Sequence, residues 1–233
     1  MLYKSTICAS IAFMPDTSAA HLNLWKKRLG RIPESVWGQS ELETLVLAEN
    51  ELTEVSEQIG CLKKLRMLDL GHNQLTRVPD ALASLNGLTD FPYLHDNRLS
   101  SLPPSLKRLT RLRYLNIGEN AFEMLPESVC GMASLIELRA SGNRLVLLPE
   151  CIGRLSRLRE LHLRNNRLTS LPDSIGALRE LRQMDLRGNP LTYLPAAIAA
   201  LPRLEKLDLR WVTTLALPAW AASLEERGCV IYR

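Results

Sequence analysis

The 233-residue sequence is poor in aromatic residues, has no long apolar run and carries no large excess of one charge. Aromatic residues make up only 5% of the chain, which is unusual for a β-sandwich or barrel, while a hydrophobic content of 46% allows a large core. Without a run of about 18 apolar residues, no typical membrane-spanning helix is expected. The 29 basic and 25 acidic residues are spread along the chain, which excludes a domain-wide basic surface for nucleic acid.

Cysteine is scarce and scattered. The five cysteines form no CxxC pair and no cluster of the kind that caps secreted repeat proteins. They are Cys8, Cys61, Cys130, Cys151 and Cys229. We therefore interpret them as reduced thiols, which agrees with a cytoplasmic protein.

Residues 1–18 allow two interpretations. Lys4, a short apolar stretch over residues 7–14 and small residues before position 21 loosely resemble a signal peptide. The stretch is short and is interrupted by Ser10, and its apolar residues alternate with period two, as in a capping strand. An N-terminal cap or targeting segment is therefore expected, with the signal peptide the less favoured alternative.

Asparagine recurs at a nearly constant interval of 23 or 24 residues. Around these positions the sequence follows the pattern LxxLxLxxNxLxxLPxxIxxL, which is complete between Leu158 and Leu178. The seven asparagines are Asn50, Asn73, Asn97, Asn120, Asn143, Asn166 and Asn189. A fixed period of this length predicts a stack of structural repeats.

This pattern resembles that of the leucine-rich-repeat family, in the 23-residue intracellular subclass that includes Ras-binding scaffolds, plant Ras-group relatives and many bacterial proteins. The resemblance covers residues 19–227, with about nine units starting at 19, 42, 65, 88, 112, 135, 158, 181 and 204. It implies an α/β repeat fold: a right-handed curved solenoid with a concave parallel β-sheet and a convex side of short helical or irregular segments. Residues 228–233 are predicted to form a C-terminal capping strand, with Val230 and Tyr232 pointing inward.

The chemistry of the repeat agrees with this fold. In the LxL segment a strand alternates faces, so that the leucines point inward and the residues between them point outward. An inward asparagine amide can both donate to and accept from buried backbone groups of a neighbouring turn. Strands stack about 4.8 Å apart, whereas helical segments need roughly 8 to 10 Å. The strands are therefore expected on the inner, concave side.

Three units depart from the pattern. The first lacks the asparagine and is predicted to be an N-terminal cap. The fourth contains one extra residue and has Pro92 at an inward strand position, so we expect a bulge beside Phe91, Pro92 and Tyr93. In the last unit Val212 takes the asparagine position, which indicates a C-terminal cap.

The outward strand positions are not dictated by the core and therefore form the candidate site. In the N-terminal half they carry an aromatic patch, typical of a protein-binding hot spot, although some of these side chains could instead fill space around Pro92. In the C-terminal half they carry arginines with acidic neighbours, which form either a self-paired surface or a site for a partner with both signs of charge. The candidate residues are Met67, Phe91, Tyr93, His95, Tyr114, Arg139, His162, Arg164, Arg187, Arg210 and Trp211.

All four histidines, His21, His72, His95 and His162, fall at outward positions. Only His72 and His95 lie on neighbouring units, and together with Asp96 they make an incomplete set of metal ligands. An open sheet also supplies no evident pocket for a nucleophile, a base and an orienting group. We therefore expect no cofactor, no metal ion and no enzymatic activity in this chain alone.

A further group of arginines lies on the turns that lead into the strands. It is either a solubilising edge or a surface for docking to an acidic protein or anionic lipid. Interspersed glutamates dilute its charge, so nucleic acid is not expected as a partner. The arginines assigned to such docking are Arg111, Arg113, Arg157, Arg159 and Arg182.

The sequence therefore predicts a non-enzymatic module that binds a protein partner on its concave strand face, as a scaffold, an adaptor or the recognition domain of a bacterial effector. Some bacterial members of the resembled family join the solenoid to a ubiquitin-ligase or kinase domain. By that resemblance, the alternative is a recognition subunit whose catalytic part lies on another chain. The expected location is the cytoplasm, or a host cell if the protein is a delivered effector.

Overall fold

The structure is a computed structural model that describes residues 20–89 and 92–233. Two predictions from the sequence, the cap or targeting segment at residues 1–18 and the placement of Phe91, lie outside these described residues. None of the described helices has the length and apolar character needed to cross a bilayer.

In the described residues, short strands form one parallel sheet in which each strand pairs with the next along the chain. The central residue of an internal strand is buried, as at Leu45, Leu138 and Leu161, while its neighbours are more exposed. The strands are β1 (His21–Asn23), β2 (Thr44–Val46), β3 (Met67–Asp69), β4 (Pro92–Tyr93), β5 (Tyr114–Asn116), β6 (Glu137–Arg139), β7 (Glu160–His162), β8 (Gln183–Asp185), β9 (Lys206–Asp208) and β10 (Val230–Tyr232). The predicted solenoid with a parallel sheet is confirmed.

The other side of the solenoid consists of short helical segments, which we call the back face. Most are single 3-10 helices, because i to i+3 hydrogen bonds suit a segment of three to five residues. The 3-10 helices span Glu34–Val36, Glu57–Cys61, Asp80–Ser84, Pro104–Arg108, Glu127–Gly131, Glu150–Arg154, Asp173–Ala177 and Ala196–Ala200. The last unit instead has an α-helix, α1 (Ala221–Glu226), which leads into β10.

Proline sets where these 3-10 helices begin. In the described residues, all but one of them directly follow a proline, whose fixed φ and missing N–H suit the position before a helical turn. The exception begins after Ser56, whose hydroxyl accepts a hydrogen bond from the backbone N–H of Gln58 at 3.2 Å. In both cases the chain turns back at the same point of the repeat.

The leucines of the repeat fill one continuous core between the sheet and the back face. In the unit that starts at Leu158, the leucines at 158, 161, 163 and 168 are completely inaccessible to solvent. Because each unit buries these side chains against its two neighbours, no unit has a closed core of its own.

The repeated asparagines connect adjacent units through buried hydrogen bonds. Asn166 Oδ1 accepts from the N–H of Leu145 at 3.0 Å, and Asn166 Nδ2 donates to the carbonyl oxygens of Ala140 and Leu163, each at 2.9 Å. The other six asparagines bond in the same way, and six of the seven are buried, with Asn120 half-buried. Each amide therefore satisfies backbone groups that the bend after the strand leaves unpaired.

The residue before the asparagine position adopts a left-handed backbone conformation, with φ between 50° and 66°. These residues are Lys26, Glu49, His72, Asp96, Glu119, Gly142, Asn165, Gly188 and Trp211. Only two are glycine, although this region of φ costs other residue types about 1–2 kcal/mol. The stacked turns therefore impose the conformation whatever the side chain.

The fourth unit absorbs its extra residue before the strand. Pro92 is in register with the inward residue Leu68 of β3, and Leu94 is the next buried residue, so the extra residue lies between Leu88 and Pro92. The described part of β4 is two residues long, and its Pro92 cannot donate to the ladder.

The prediction that Val230 and Tyr232 point inward is wrong. In β10 the residue in register with the buried Leu207 is Ile231, which packs against the core, while Val230 and Tyr232 are exposed. Val-Ile-Tyr contains no polar residue to mark its outward face, so the choice of face is made by pairing with β9.

The interpretation of all cysteines as reduced thiols is also wrong. Cys130 and Cys151, in the 3-10 helices of adjacent units, form a disulfide with their Cα atoms 5.7 Å apart. Cys229 is a buried free thiol, and burial raises its pKa. The disulfide joins two neighbouring units across the back face.

Candidate functional site

Each strand has outward side chains, and the turn after it adds two more, such as His95 and Asp96 after β4. Together these side chains form one surface, which we call the strand face. Its N-terminal part carries Met67 on β3, Tyr93 on β4 and Tyr114 on β5, all half-buried. Tyr93 is in register with Asn116, so the two tyrosines lie on neighbouring strands but in different rows of the sheet. Together they form an aromatic patch with part of each side chain open to solvent.

Three polar residues border the aromatic patch. The ring of His95 packs edge to face on Tyr93, with centroids 5.7 Å apart, and on His72, with centroids 4.6 Å apart. His72 Nδ1 lies 2.6 Å from Asp96 Oδ2. Burial, and then the proximity of His72, lower the pKa of His95, so its ring is neutral at neutral pH.

The charged part of the strand face is largely paired within itself. Arg187 Nε donates to Asp185 Oδ1 at 2.8 Å and lies 3.6 Å from Asp208 Oδ2. Arg210 donates to both oxygens of Asp208, at 2.9 and 2.7 Å. Burial would raise the pKa of Asp208, but hydrogen bonds from Arg210 and the charge of Arg187 hold it below its usual value. These four residues form a fixed ionic frame.

A second ionic cluster lies on β6 and β7. Arg139 donates to Glu137, and His162 Nε2 lies 3.1 Å from Glu160 Oε2 and 3.7 Å from Glu137 Oε1. The two glutamates and the histidine offer ligand atoms within 4.8 Å of one another, a spacing that a metal ion could use. Glu137, however, already accepts from Arg139, so its charge is neutralised from within the protein.

Among the described residues, Trp211 is the most exposed large aromatic residue of the strand face, with 61% of its surface accessible. The guanidinium carbons of Arg164, Arg187 and Arg210 lie 5.1, 5.8 and 6.0 Å from its ring centroid. In the described residues, Arg164 has no carboxylate partner, and its buried Nε has no hydrogen-bond partner. The Trp211 indole therefore lies beside three arginines. One of them, Arg164, has an N–H donor without an acceptor in the described residues.

Sequence reasoning missed Tyr232 as a member of this surface. Its ring is 41% exposed and lies 5.3 Å from the guanidinium carbon of Arg210 and 5.1 Å from Lys206 Nζ. The strand face therefore has a second aromatic group, Trp211 and Tyr232, at its C-terminal end. Correct assignment of the β10 register would have revealed it.

The predicted docking arginines, which we call the arginine edge, include residues with a carboxylate partner and, among the described residues, others for which the structure shows no such partner. Arg182 donates to Glu205 at 2.6 Å, and Arg203 pairs with Glu180. The other predicted docking residues, Arg111, Arg113, Arg157 and Arg159, are exposed. Arg113 lies over the ring of Tyr114, 5.5 Å from its centroid, which connects this edge to the aromatic patch.

Two family models match the chain. The model described as a leucine-rich repeat region matches residues 146–226, and the model described as leucine rich repeat matches residues 17–75, 41–91 and 93–145. No curated protein sequence matches the chain.

Several solved structures have a similar architecture. The leucine-rich-repeat domain of the type III effector XopL has a TM-score of 0.83 at 27% identity, over 93% of this chain and 77% of its own. The plant peptide hormone receptor RGFR1, in complex with RGF2, has a TM-score of 0.69 at 32% identity, over 77% of this chain and 30% of its own. An internalin from Listeria monocytogenes has a TM-score of 0.71 over 84% of this chain, and at 23% identity it bears on the fold alone. The chain spans 55% of that internalin and 30% of the receptor.

Proposed function

Because the chain belongs to the leucine-rich-repeat family, we propose that it is a non-enzymatic module that binds a protein partner along its concave strand face. The family fold is in general a protein-interaction module. The observation that carries the proposal is that the strand face exposes aromatic side chains held beside fixed charges, none of which the leucine core requires.

The two aromatic groups are the proposed anchors. Tyrosine and tryptophan dominate binding hot spots because they bury a large area and lose little side-chain entropy. Tyr93 and Tyr114 stand at one end of the contact, and Trp211 and Tyr232 stand at the other. A partner that spans both must be extended along the sheet, as a long segment or a broad surface of a folded protein.

The charged residues between the anchors have two roles in this proposal. Arg187 and Arg210 are already paired with Asp185 and Asp208, so we assign them to holding Trp211 in place rather than to binding the partner. Arg164 keeps donors without a carboxylate partner in the described residues, so we assign it to an acidic group of the partner. Such a contact sets the orientation of the complex and its rate of association.

Two of the compared structures support a binding role for this chain. RGFR1 is a peptide hormone receptor in complex with RGF2, and the XopL domain is part of a type III effector. The second comparison supports the alternative proposal, in which this chain is the recognition part of an effector assembly whose catalytic part lies on another chain.

The Cys130–Cys151 disulfide gives information about the cellular compartment of the protein. Disulfides persist in oxidising environments and are rare in the cytosol, where thiols are kept reduced. The Cys130–Cys151 bond therefore supports an oxidising compartment over the cytoplasm that scattered cysteines suggested.

The proposal is tested by photo-crosslinking from defined positions. A photoreactive amino acid at Tyr114 or Trp211 samples the strand face, and one at Glu127 or Asp173, both exposed in 3-10 helices, samples the back face. We expect one protein to crosslink from both strand-face positions and from neither back-face position. Crosslinks to a common protein from the back face alone would refute the proposal.

Binding kinetics with the purified partner test the assigned roles. Tyr93→Ala combined with Tyr114→Ala should speed dissociation. The aromatic side chains become buried only when the complex has formed, so they slow its dissociation more than they speed its association. Arg164→Glu should slow association and change its dependence on salt. Glu127→Ala with Asp173→Ala is the matched back-face control and should change neither rate.

The alternative of docking through the arginine edge makes a different prediction. Arg111, Arg113, Arg157 and Arg159 are exposed and would attract an acidic protein or anionic lipid. If that edge were the binding surface, charge reversal at Arg157 and Arg159 would abolish binding while the tyrosine variant kept it.

A further inference from the structure

His72 and His95 bring two imidazole nitrogens to one point beside the aromatic patch. The Nε2 atoms are 3.2 Å apart, and the ring planes are inclined by 79°. On sequence alone these residues and Asp96 are an incomplete ligand set. The fold, however, brings the two Nε2 atoms close enough to serve one ion.

The separation of the two nitrogens matches that of two ligands of a single metal ion. Zinc binds histidine nitrogen at about 2.0–2.1 Å in tetrahedral geometry, which places two such nitrogens about 3.3 Å apart. The His72 and His95 Nε2 atoms are within about 0.1 Å of that value.

Asp96 supplies the support that a ligand histidine ordinarily has. A metal-binding imidazole usually donates its other N–H to a carboxylate, which fixes the tautomer and orients the ring. His72 Nδ1 lies 2.6 Å from Asp96 Oδ2, so the N–H is on Nδ1 and the lone pair is on Nε2, the atom that faces His95. Asp96 is thus placed to act through His72 and not as a ligand itself.

Gly71 makes room for the second ligand. A Cβ added at Gly71 would lie 2.5 Å from Cε1 and 2.9 Å from Nδ1 of His95. Any larger residue would therefore displace the His95 ring from this position. The ring also packs edge to face on Tyr93, which helps to hold it in place.

We propose that His72 and His95 form a two-histidine site for a divalent transition metal ion of the zinc, nickel or copper class. Nitrogen ligands select these ions over Mg²⁺ and Ca²⁺, which prefer oxygen. The remaining coordination positions are open to water or to a donor atom of a bound partner. The site does not depend on the proposed protein-binding function, because the ion binds to the chain alone.

The rival explanation of the short contact is an N–H···N hydrogen bond between two neutral imidazoles. In that case metal ions would bind no better than to isolated surface histidines. His162, half-buried beside Glu137 and Glu160 on the same face, offers a matched comparison, since it has carboxylate neighbours but no second histidine.

The test is a competition titration of Zn²⁺ between a chromogenic indicator and the full chain, purified without a histidine tag and freed of metal with a chelator. We expect one Zn²⁺ per chain. His72→Gln and His95→Gln should each abolish it, Asp96→Asn should weaken affinity by about 10–100-fold, and His162→Gln should leave it unchanged. Matching melting temperatures of these variants without metal would show that the fold is intact.

Nitrogen NMR of the unmodified chain gives a second measurement that does not depend on variants. Zn²⁺ should shift the Nε2 resonances of His72 and His95 together, in equal stoichiometry, and leave those of His21 and His162 in place. The proposal is overturned if no Zn²⁺ binds, if binding survives in both His72→Gln and His95→Gln, or if the His162 cluster takes the ion instead.

Discussion

Replacing Asn143 by leucine should unfold the solenoid at a markedly lower temperature. Asn143 Oδ1 accepts from the N–H of Phe122 at 3.1 Å, and its Nδ2 donates to the carbonyl oxygens of Ile117 and Ala140 at 3.0 and 3.1 Å. Leucine fills a similar volume but can replace none of these bonds. The perturbation is therefore a loss of hydrogen bonds within one unit and to the unit before it, with little change in packing.

The magnitude follows from the burial of the groups left behind. Phe122 is fully buried, so its N–H would have no acceptor and no water, at a cost of about 1–3 kcal/mol. The two carbonyls also lose a donor, so we expect a total loss near 3 kcal/mol, with each bond contributing about 1 kcal/mol. At about 2–4 °C per kcal/mol for a domain of this size, the melting temperature should fall by roughly 6–12 °C.

Thermal and urea unfolding followed by circular dichroism measure this loss. Asn86→Leu makes the same chemical change at an exposed turn position, and we expect a change within about 0.5 kcal/mol there. If Asn143→Leu melts within about 2 °C of the parent protein, as the Asn86 variant should, the repeated asparagines do not stabilise the fold in the way argued above.

Two further changes on the back face have defined outcomes. The double variant Cys130→Ser with Cys151→Ser should lose about 3 kcal/mol of unfolding free energy, because the disulfide closes a loop with a sequence separation of 21. Urea unfolding checks this, and equal stability with and without the disulfide would contradict it. Gly131→Ala should cost about 1–3 kcal/mol, since its Cβ would lie 2.5 Å from Lys107 Cβ and 2.9 Å from Lys107 Cα. Gly38→Ala is the control, because the nearest atom to its added Cβ would be 3.8 Å away, and it should melt at the temperature of the parent protein. Equal melting temperatures of the two glycine variants would argue against close packing of the 3-10 helices.

The repeat pattern was sufficient to predict the order of the elements and most of the core. With a period of 23 residues, a leucine at a given offset in one unit stacks on the leucine at the same offset in the next. That rule places Leu45, Leu68, Leu115 and Leu138 in one buried row, as the strand pairing shows. It also identifies Tyr93, Tyr114 and Trp211 as residues that the core does not require.

The repeat pattern did not predict which side chains pair with one another. Arg187 and Arg210 recur with the same spacing as Arg164, yet the first two are bound by aspartates and Arg164 lies against Trp211 instead. The difference arises because the row that holds Asp185 and Asp208 in two units holds His162 in the unit of Arg164. Which arginine keeps free donors depends on side-chain conformations across three strands.

The repeat, the parallel sheet and the inward asparagines therefore follow from the residue pattern alone, because hydrophobic periodicity and spacing encode which residues must be buried. Three features became evident only from the folded chain: the face of β10, the Cys130–Cys151 disulfide and the contact between His72 and His95. In β10 all three residues are apolar, so burial was decided by register with β9. The cysteines are offset by two residues from the repeat period, and the histidine nitrogens meet only because Gly71 lacks a side chain. These features depend on distances between units, which a pattern along one chain does not contain.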